Sequence, residues 1–142
     1  MRIYLLLFLF LIIFSSIAHA SLIWAFDAGS GIITHPILFN NNIIIGTEDG
    51  QIFSLSNDGK LIWKRDVGRY ILQPVIFQDE LVVATSYGKI STIRKDGAVR
   101  SRVTLNNSQT NITYIYGIAA SNKLYLTTDK GLVSSMTTRS PT

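Results

Sequence analysis

Residues 46–63 read GTEDGQIFSLSNDGKLIW and contain two turns, each preceded by a short apolar run. The run 43–45 leads into the turn at Gly50, and the run 52–55 leads into the turn at Gly59. Acidic residues before a glycine, flanked by apolar runs, are a strong hairpin signal because glycine adopts the positive φ that such turns need. No segment after residue 20 shows a helical period of useful length, so the sequence predicts an all-β protein.

The same pattern recurs further along the chain. Trp24 and Trp63 stand 39 residues apart, and the turn residues that follow stand 38 apart. The pairs matched at a shift of 38 are Pro36 and Pro74, Gly50 and Gly88, Asp58 and Asp96, and Gly59 and Gly97. A period near 40 residues with four short strands is typical of β-propeller blades. The sequence therefore predicts a partial β-propeller of about three four-stranded antiparallel blades.

The repeat also gives the domain boundaries. The propeller domain is predicted over residues 21–142, with blades at about 35–66, 73–105 and 112–136. The blade motif is carried by the tryptophans and by the residues of the glycine turns. These are Trp24, Gly50, Gly59, Lys60, Trp63, Gly88, Gly97 and Gly131.

The two ends of the repeat region are incomplete. The segment 22–26 matches an outer strand without the rest of its blade, and the third blade stops before an outer strand. In that blade, Gly117 and Ile118 stand where Pro74 and Val75 stood. Three organisations fit: a fragment of a longer propeller, an open three-blade arc, or two copies that exchange the orphan strand and close six blades. The first two are favoured over the third.

The stretch 57–63 resembles the tryptophan-docking repeat of pyrroloquinoline-quinone-like, or quinoprotein-type, β-propellers. That family ends each blade on Gly-Lys/Glu-x-x-Trp, and Gly59, Lys60 and Trp63 match it. Trp24 matches only the tryptophan. The resemblance implies that each tryptophan wedges between neighbouring blades, so that its role is structural.

The second repeat departs from this motif. It keeps Gly97 but has Ser101 at the tryptophan position. The resemblance to quinoprotein dehydrogenases would imply a quinone and a Ca²⁺ ion in a funnel of about eight blades, typically with a disulfide of adjacent cysteines. This chain has no cysteine and about three blades. We therefore expect no cofactor, no metal site and no enzymatic activity.

The first 20 residues have the pattern of an export signal. Arg2 provides a positive start, 3–14 is an unbroken apolar run, and the sequence Ala-His-Ala closes it at 18–20. The run is short for a membrane span, and its small-residue ending favours cleavage. We expect a signal helix over 1–20 and a periplasmic, extracellular or cell-envelope location. If the segment is not cleaved, it anchors the chain.

The charges favour no polyanionic partner. The formal net charge of the whole chain is +4, and its basic residues are scattered. A nucleic-acid surface needs a clustered basic stripe, so no nucleic-acid partner is expected. No membrane contact beyond the signal segment is expected either.

Candidate chemical residues fall mainly in turns. Most carboxylates lie in predicted turns, where an aspartate caps its own backbone. His35 is the only histidine after the signal segment, and one histidine without a partner makes neither a metal site nor a nucleophile pair. It is assigned to a strand entry. Asn106 and Asn111 begin Asn-x-Ser/Thr sequences and are candidate glycosylation sites.

Several tyrosines fall on or beside the predicted strands: Tyr70, Tyr87, Tyr114, Tyr116 and Tyr125. They suit either a binding face or ordinary packing between blades, and packing is favoured. The sequence as a whole predicts an exported, non-catalytic module for protein interaction or scaffolding. Its partner would be another protein, or a second copy that meets it at open blade edges. The alternative is a truncated fragment of a larger propeller protein or quinoprotein enzyme without activity of its own.

Overall fold

The computed structural model describes residues 21–105, 115–129, 131 and 133–136. These residues form eleven strands and no helix. The strands are β1 Ile37–Phe39, β2 Asn42–Gly46, β3 Gln51–Leu55, β4 Leu61–Asp66, β5 Val75–Phe77, β6 Glu80–Ala84, β7 Lys89–Ile93, β8 Val99–Thr104, β9 Ile115–Ala120, β10 Leu124–Thr128 and β11 Val133–Met136. The signal helix predicted over 1–20 and the candidate glycosylation sites Asn106 and Asn111 lie outside the described residues.

The strands make three separate antiparallel sheets in which each strand pairs with the next along the chain. The first sheet has the order β1-β2-β3-β4 and the second β5-β6-β7-β8, whereas the third has β9-β10-β11. This is the meander of a β-propeller blade repeated three times. The predicted fold class is confirmed, with three strands in the described part of the third sheet.

Tight turns set the register of the first two hairpins. Asn40 and Asn41 both have positive φ, at 52° and 61°, and join β1 to β2. Gln78 and Asp79 do the same in the second sheet, at 49° and 62°. Positive φ at both central residues defines the type I′ turn, whose twist matches that of the flanking strands. These two hairpins therefore have the same geometry despite different turn residues.

The third sheet differs from the other two by one residue. In the second sheet Val75 lies opposite Val82, and in the third Ala119 lies opposite Tyr125. Ala119 is therefore the counterpart of Val75, so the sequence alignment that gave this place to Ile118 was wrong by one position. The cause is the turn at 121–123, which holds three residues instead of two.

The cores lie between the sheets, because alternate residues of each strand point to opposite faces. Ile44 and Ile52 of the first sheet meet Leu81 and Ile93 of the second, and all four are fully buried. The opposite face of the second sheet meets the third through Phe77, Val82, Ala84, Ile90, Ile115, Leu124 and Leu126. Each large aliphatic side chain buried in this way contributes about 1.5–3 kcal/mol to stability.

The first strands of the sheets lie side by side, as the inner strands of a propeller do. The backbone N–H of His35 donates to the Gln73 side-chain carbonyl at 2.8 Å, and the Gln73 amide donates to the His35 carbonyl at 3.1 Å. This reciprocal pair ties the entry of β1 to the entry of β5. His35 thus stands at a strand entry, where its backbone supports the inner ring of strands.

The segment 22–26 is not the strand that the sequence predicted. It forms no ladder with any described strand. Trp24, Phe26 and Ala28 instead pack against Ile45, Phe53 and Leu55, on the face of the first sheet that points away from the second. Strand formation needs a hydrogen-bonded neighbour, and in this structure the segment has only side-chain contacts.

We predict that Gly97→Ala destabilises the fold much more than Gly29→Ala. Both glycines have positive φ, at 81° and 72°, but a Cβ at position 97 would lie 2.6 Å from the Trp63 ring, whereas one at 29 meets nothing within 4 Å. We expect a loss of about 2–4 kcal/mol for Gly97→Ala and about 1 kcal/mol for Gly29→Ala in urea unfolding. Equal losses would show that the tryptophan contact does not matter.

Candidate interaction surfaces

The tryptophans of the blade motif lie on the glycine turns of the next blade. A Cβ on Gly59 would lie 2.6 Å from the Trp24 ring, and one on Gly97 would lie 2.6 Å from the Trp63 ring. The Trp24 indole also donates to the Asn57 carbonyl at 2.9 Å. Trp24 therefore has the same relation to the first blade that Trp63, in β4, has to the second.

The residues after each tryptophan extend this equivalence. Residues 22–29 read LIWAFDAG and residues 61–68 read LIWKRDVG. In both copies the aspartate accepts a hydrogen bond from the backbone two residues on, Asp27 from Gly29 at 2.8 Å and Asp66 from Gly68 at 2.9 Å. Segment 22–29 thus has the sequence and the docking of an outer strand, but without a sheet of its own.

The remaining motif residues stand at the turns. The carbonyl of Gly50 accepts from Val67 N–H at 3.0 Å, and that of Gly88 accepts from Leu105 N–H at 2.8 Å. Each bond closes the sheet onto the end of its outer strand. Gly131 has positive φ, and an added Cβ there would meet nothing within 4 Å.

Lys60 pairs with Asp58 on the surface rather than with any ligand group. Their charged atoms are 2.7 Å apart, with 80% and 59% of the two side chains exposed. The ammonium group and the Ser56 hydroxyl lower the pKa of Asp58 to about 2, while the carboxylate raises the pKa of Lys60. Because both groups are in water, the pair adds little to stability.

Three exposed tyrosines and one arginine share an end of the second and third blades: Arg69, Tyr70, Tyr87 and Tyr116. We call this set the tyrosine rim. The rings of Tyr70 and Tyr87 meet edge to face with centroids 5.3 Å apart. The Arg69 guanidinium lies 5.7 Å from the Tyr70 centroid. The three tyrosine side chains are 47%, 56% and 69% exposed, which corrects the expectation that they pack between blades.

Backbone hydrogen bonds hold the rim in one place. The carbonyl of Tyr70 accepts from Ser86 N–H at 2.9 Å, and the carbonyl of Ser86 accepts from Ile115 N–H at 2.8 Å. These two bonds join the loop before β5, the turn before β7 and the start of β9. The tyrosines that neighbour them are therefore fixed relative to one another.

Tyr70 adopts an unusual backbone conformation. Its φ of +59° lies in the left-handed region, which bulky residues rarely enter. Holding a non-glycine residue there costs about 1–3 kcal/mol, and such strain clusters at functional sites. The observed outlier marks the rim as a place where ring position has been kept at a cost in stability.

Charges of both signs surround the rim. Arg69 belongs to it, and the Lys89 ammonium lies 3.5 Å from where a Cβ of Gly68 would stand. On the other side, Asp66 binds the Gly68 N–H, and the turn that holds Asp49 touches the backbone at Gly68. Positive and negative groups thus lie side by side, so the aromatic area is the main source of binding energy at this surface.

A second surface feature is an open depression of about 410 Å³ on the second blade. Polar and charged side chains line it: Gln78, Asp79, Glu80, Arg94, Lys95 and Asp96. Lys95 and Asp79 face each other at 3.6 Å, and Arg100 holds Glu80 at 2.8 Å. Carboxylates paired in this way with cations are not arranged as an acid and base pair for catalysis.

Two further findings concern the described residues. They contain no group of three or more His, Cys, Asp or Glu side chains placed to bind a metal ion. They also contain no helix long and apolar enough to cross a membrane.

Known proteins share this fold but not its sequence. No family model matches the chain, and no curated protein matches it. Among solved structures, BamB from Moraxella catarrhalis aligns with a TM-score of 0.60 at 17% identity, over 70% of this chain and 30% of that one. BBS1N, crystallised in complex with ARL6DN, aligns with a TM-score of 0.59 at 14% identity, over 75% and 33%.

A designed protein also aligns. The computationally designed Ika4 protein gives a TM-score of 0.65 at 18% identity, over 83% of this chain and 72% of that one. These likenesses show that the chain has the β-propeller fold. It spans about a third of the length of the BamB and BBS1N chains.

Sequence reasoning missed the rim because a tyrosine near a strand has no periodicity that separates packing from exposure. One signal was present, since Tyr70 and Tyr87 both lie within two residues of a motif glycine, Gly68 or Gly88. Side chains in such turns leave the sheet faces, and turns are where propellers expose residues.

We predict that Tyr70→Asn costs less stability than Tyr87→Asn. Both variants lose the ring contact, worth about 0.5–1.5 kcal/mol, but asparagine tolerates positive φ and relieves the strain at position 70. Urea unfolding should therefore show a change within about 1 kcal/mol for Tyr70→Asn and a larger loss for Tyr87→Asn. The reverse order would mean that position 70 is not strained.

Proposed function

We propose that this protein is an exported, non-catalytic β-propeller module that binds another protein. The observation that carries the proposal is the tyrosine rim, which presents fixed, exposed aromatic side chains at one end of the blades. Tyrosine is enriched in protein interfaces because it offers a large amphipathic contact area and loses little conformational entropy on binding.

The geometry of the rim favours a protein over a charged polymer. Its rings are positioned by the backbone bonds at Tyr70 and Ser86, so little ordering cost remains when a partner docks. Its charges are of both signs, which gives a polyanion no continuous positive surface. The solved complex of BBS1N with ARL6DN offers a parallel, since a chain that shares this fold was crystallised with a partner.

Open strand edges are the second part of the proposal. In the described residues, β11 pairs only with β10, and the segment 22–26 pairs with no strand. Unpaired backbone groups at a sheet edge accept a further strand by β-augmentation. A partner protein or a second copy of this chain is the proposed source of that strand.

The proposal of a non-catalytic, quinoprotein-type module rests on the sequence. The Gly59, Lys60 and Trp63 motif supports membership among tryptophan-docking propellers. The absence of cysteine and the presence of one histidine after the signal segment leave few groups for redox or nucleophilic chemistry. The observed contacts of Trp24 and Trp63 support a structural role for the motif.

A photo-crosslinking amino acid at position 87 tests the rim. In the full chain expressed in its own cells, we expect it to give a discrete crosslinked protein that disappears when Tyr70→Ser is added. The matched control places the same amino acid at Ile62, which is 53% exposed on β4, away from the rim. The same product from both positions, or none from position 87, would refute binding at the rim.

N-terminal sequencing tests export. We expect the secreted or envelope-located protein to begin near Ser21, because the small residues Ala18 and Ala20 fit a signal-peptidase site. Ala20→Phe should block cleavage and leave the longer form. A wild-type protein recovered only with residues 1–20 attached, in the cytosol, would contradict the proposal.

A further inference from the structure

The segment 22–29 carries the features of an outer strand except the strand itself. It repeats the sequence of β4, docks Trp24 on Gly59 as Trp63 docks on Gly97, and closes with the same aspartate turn. In the first blade, Leu61 and Ile62 are 48% and 53% exposed beside β3. Leu22 and Ile23, at the equivalent positions, are 85% and 88% exposed, because no third strand lies next to them.

Blade 3 lacks, in its described part, the element that the segment 22–29 resembles. In the first two blades the third strand pairs on its far side with an outer strand, β4 or β8. In blade 3 the corresponding strand, β11, has β10 on one side and no described strand on the other. The chain therefore contains an outer strand without a blade and a blade edge without an outer strand.

These two elements do not pair within one chain in this structure. The segment 22–29 lies against the first blade, whereas β11 belongs to the third, and the second blade lies between those two. Closing three blades in one chain would also give a ring smaller than the usual four to eight blades. Two copies that each lend the segment to the other would close six.

Exposure on the two end faces fits this arrangement. Leu38 of β1 is 68% exposed, whereas its counterpart Ile76 in the second blade, which has the first blade beside it, is 45% exposed. On the third blade Thr127 is exposed, whereas its counterpart Ala84 is fully buried under that blade. The inner part of each end face is thus less covered than the same region between adjacent blades.

We propose that residues 22–27 of one copy form the outer strand of blade 3 in a second copy, pairing antiparallel with β11, and that two chains close a six-bladed ring. This inference rests on the part of the proposed function that assigns binding to open edges, and names the strand and its partner. The exchange is two-fold symmetric, since each chain gives and receives the same segment, as in the commonest class of homodimer.

The repeat fixes the register of the proposed pair. In the first blade Phe53 lies opposite Lys64. The shift that carries Gly50 to Gly131 carries Phe53 to Ser134, and the shift that carries Trp63 to Trp24 carries Lys64 to Ala25. Ser134 of one copy should therefore lie opposite Ala25 of the other.

Disulfide trapping tests this register, because the natural chain has no cysteine. Two differently tagged mature chains, one with Ala25→Cys and one with Ser134→Cys, are mixed, refolded together and oxidised. Directly opposite positions in a strand pair have Cβ atoms about 4.5–5.5 Å apart, close to disulfide geometry. We expect a disulfide-linked heterodimer and, for the wild-type chain, the mass of a dimer by light scattering.

The matched control replaces Ser134→Cys with Ser135→Cys. A shift of one residue moves the side chain to the other face of the sheet, so the heterodimer should fall at least about tenfold. Urea unfolding of each single variant checks that it is folded. A monomer mass for the folded wild-type chain, or equal trapping at both positions, would overturn the inference.

A chain carrying both Ala25→Cys and Ser134→Cys distinguishes exchange from closure within one chain. An internal disulfide in a monomer would refute the second copy. Photo-crosslinking at position 87 is read independently, so a failure of strand exchange leaves the rim proposal standing, and a failure at the rim leaves the exchange standing.

Discussion

The contact between a tryptophan ring and the glycine turn of the next blade is the constraint on which this structure depends. An indole lies where a side chain at Gly59 or Gly97 would be, so the turn and the ring fit only because the residue has no Cβ. The contact sets the distance and angle between successive sheets. Once that spacing is set, the aliphatic faces around Ile44, Ile52 and Leu81 close on each other without water.

The same contact explains how a segment without a strand can be ordered. Trp24 docks on the first blade through its ring and its indole N–H, and Phe26 meets Phe53 edge to face at 5.6 Å. Side-chain packing thus holds the segment in the position of an outer strand while its backbone stays unpaired. A backbone held in place but unpaired is suited to receiving a strand, because part of the ordering cost has already been met.

The two proposed binding surfaces use different physics. The tyrosine rim offers aromatic area on a loop framework fixed by hydrogen bonds at Tyr70 and Ser86. The strand edges offer backbone donors and acceptors, whose pairing gives register and partner identity. A propeller assembled through its edges would still expose the rim, since the rim lies at the strand ends and loops rather than on the outer edges.

The sequence by itself determined the all-β class, the blade period and the glycine turns, because these depend on local backbone preference and on alternation of apolar residues. It also placed Trp24, Gly59, Trp63 and Gly97 in the blade motif. Tertiary structure alone decided that 22–26 pairs with no strand, that the third blade is offset by one residue, and that the tyrosines are exposed. Each of these depends on which neighbour lies beside a segment. A pattern within one strand carries no record of its neighbours.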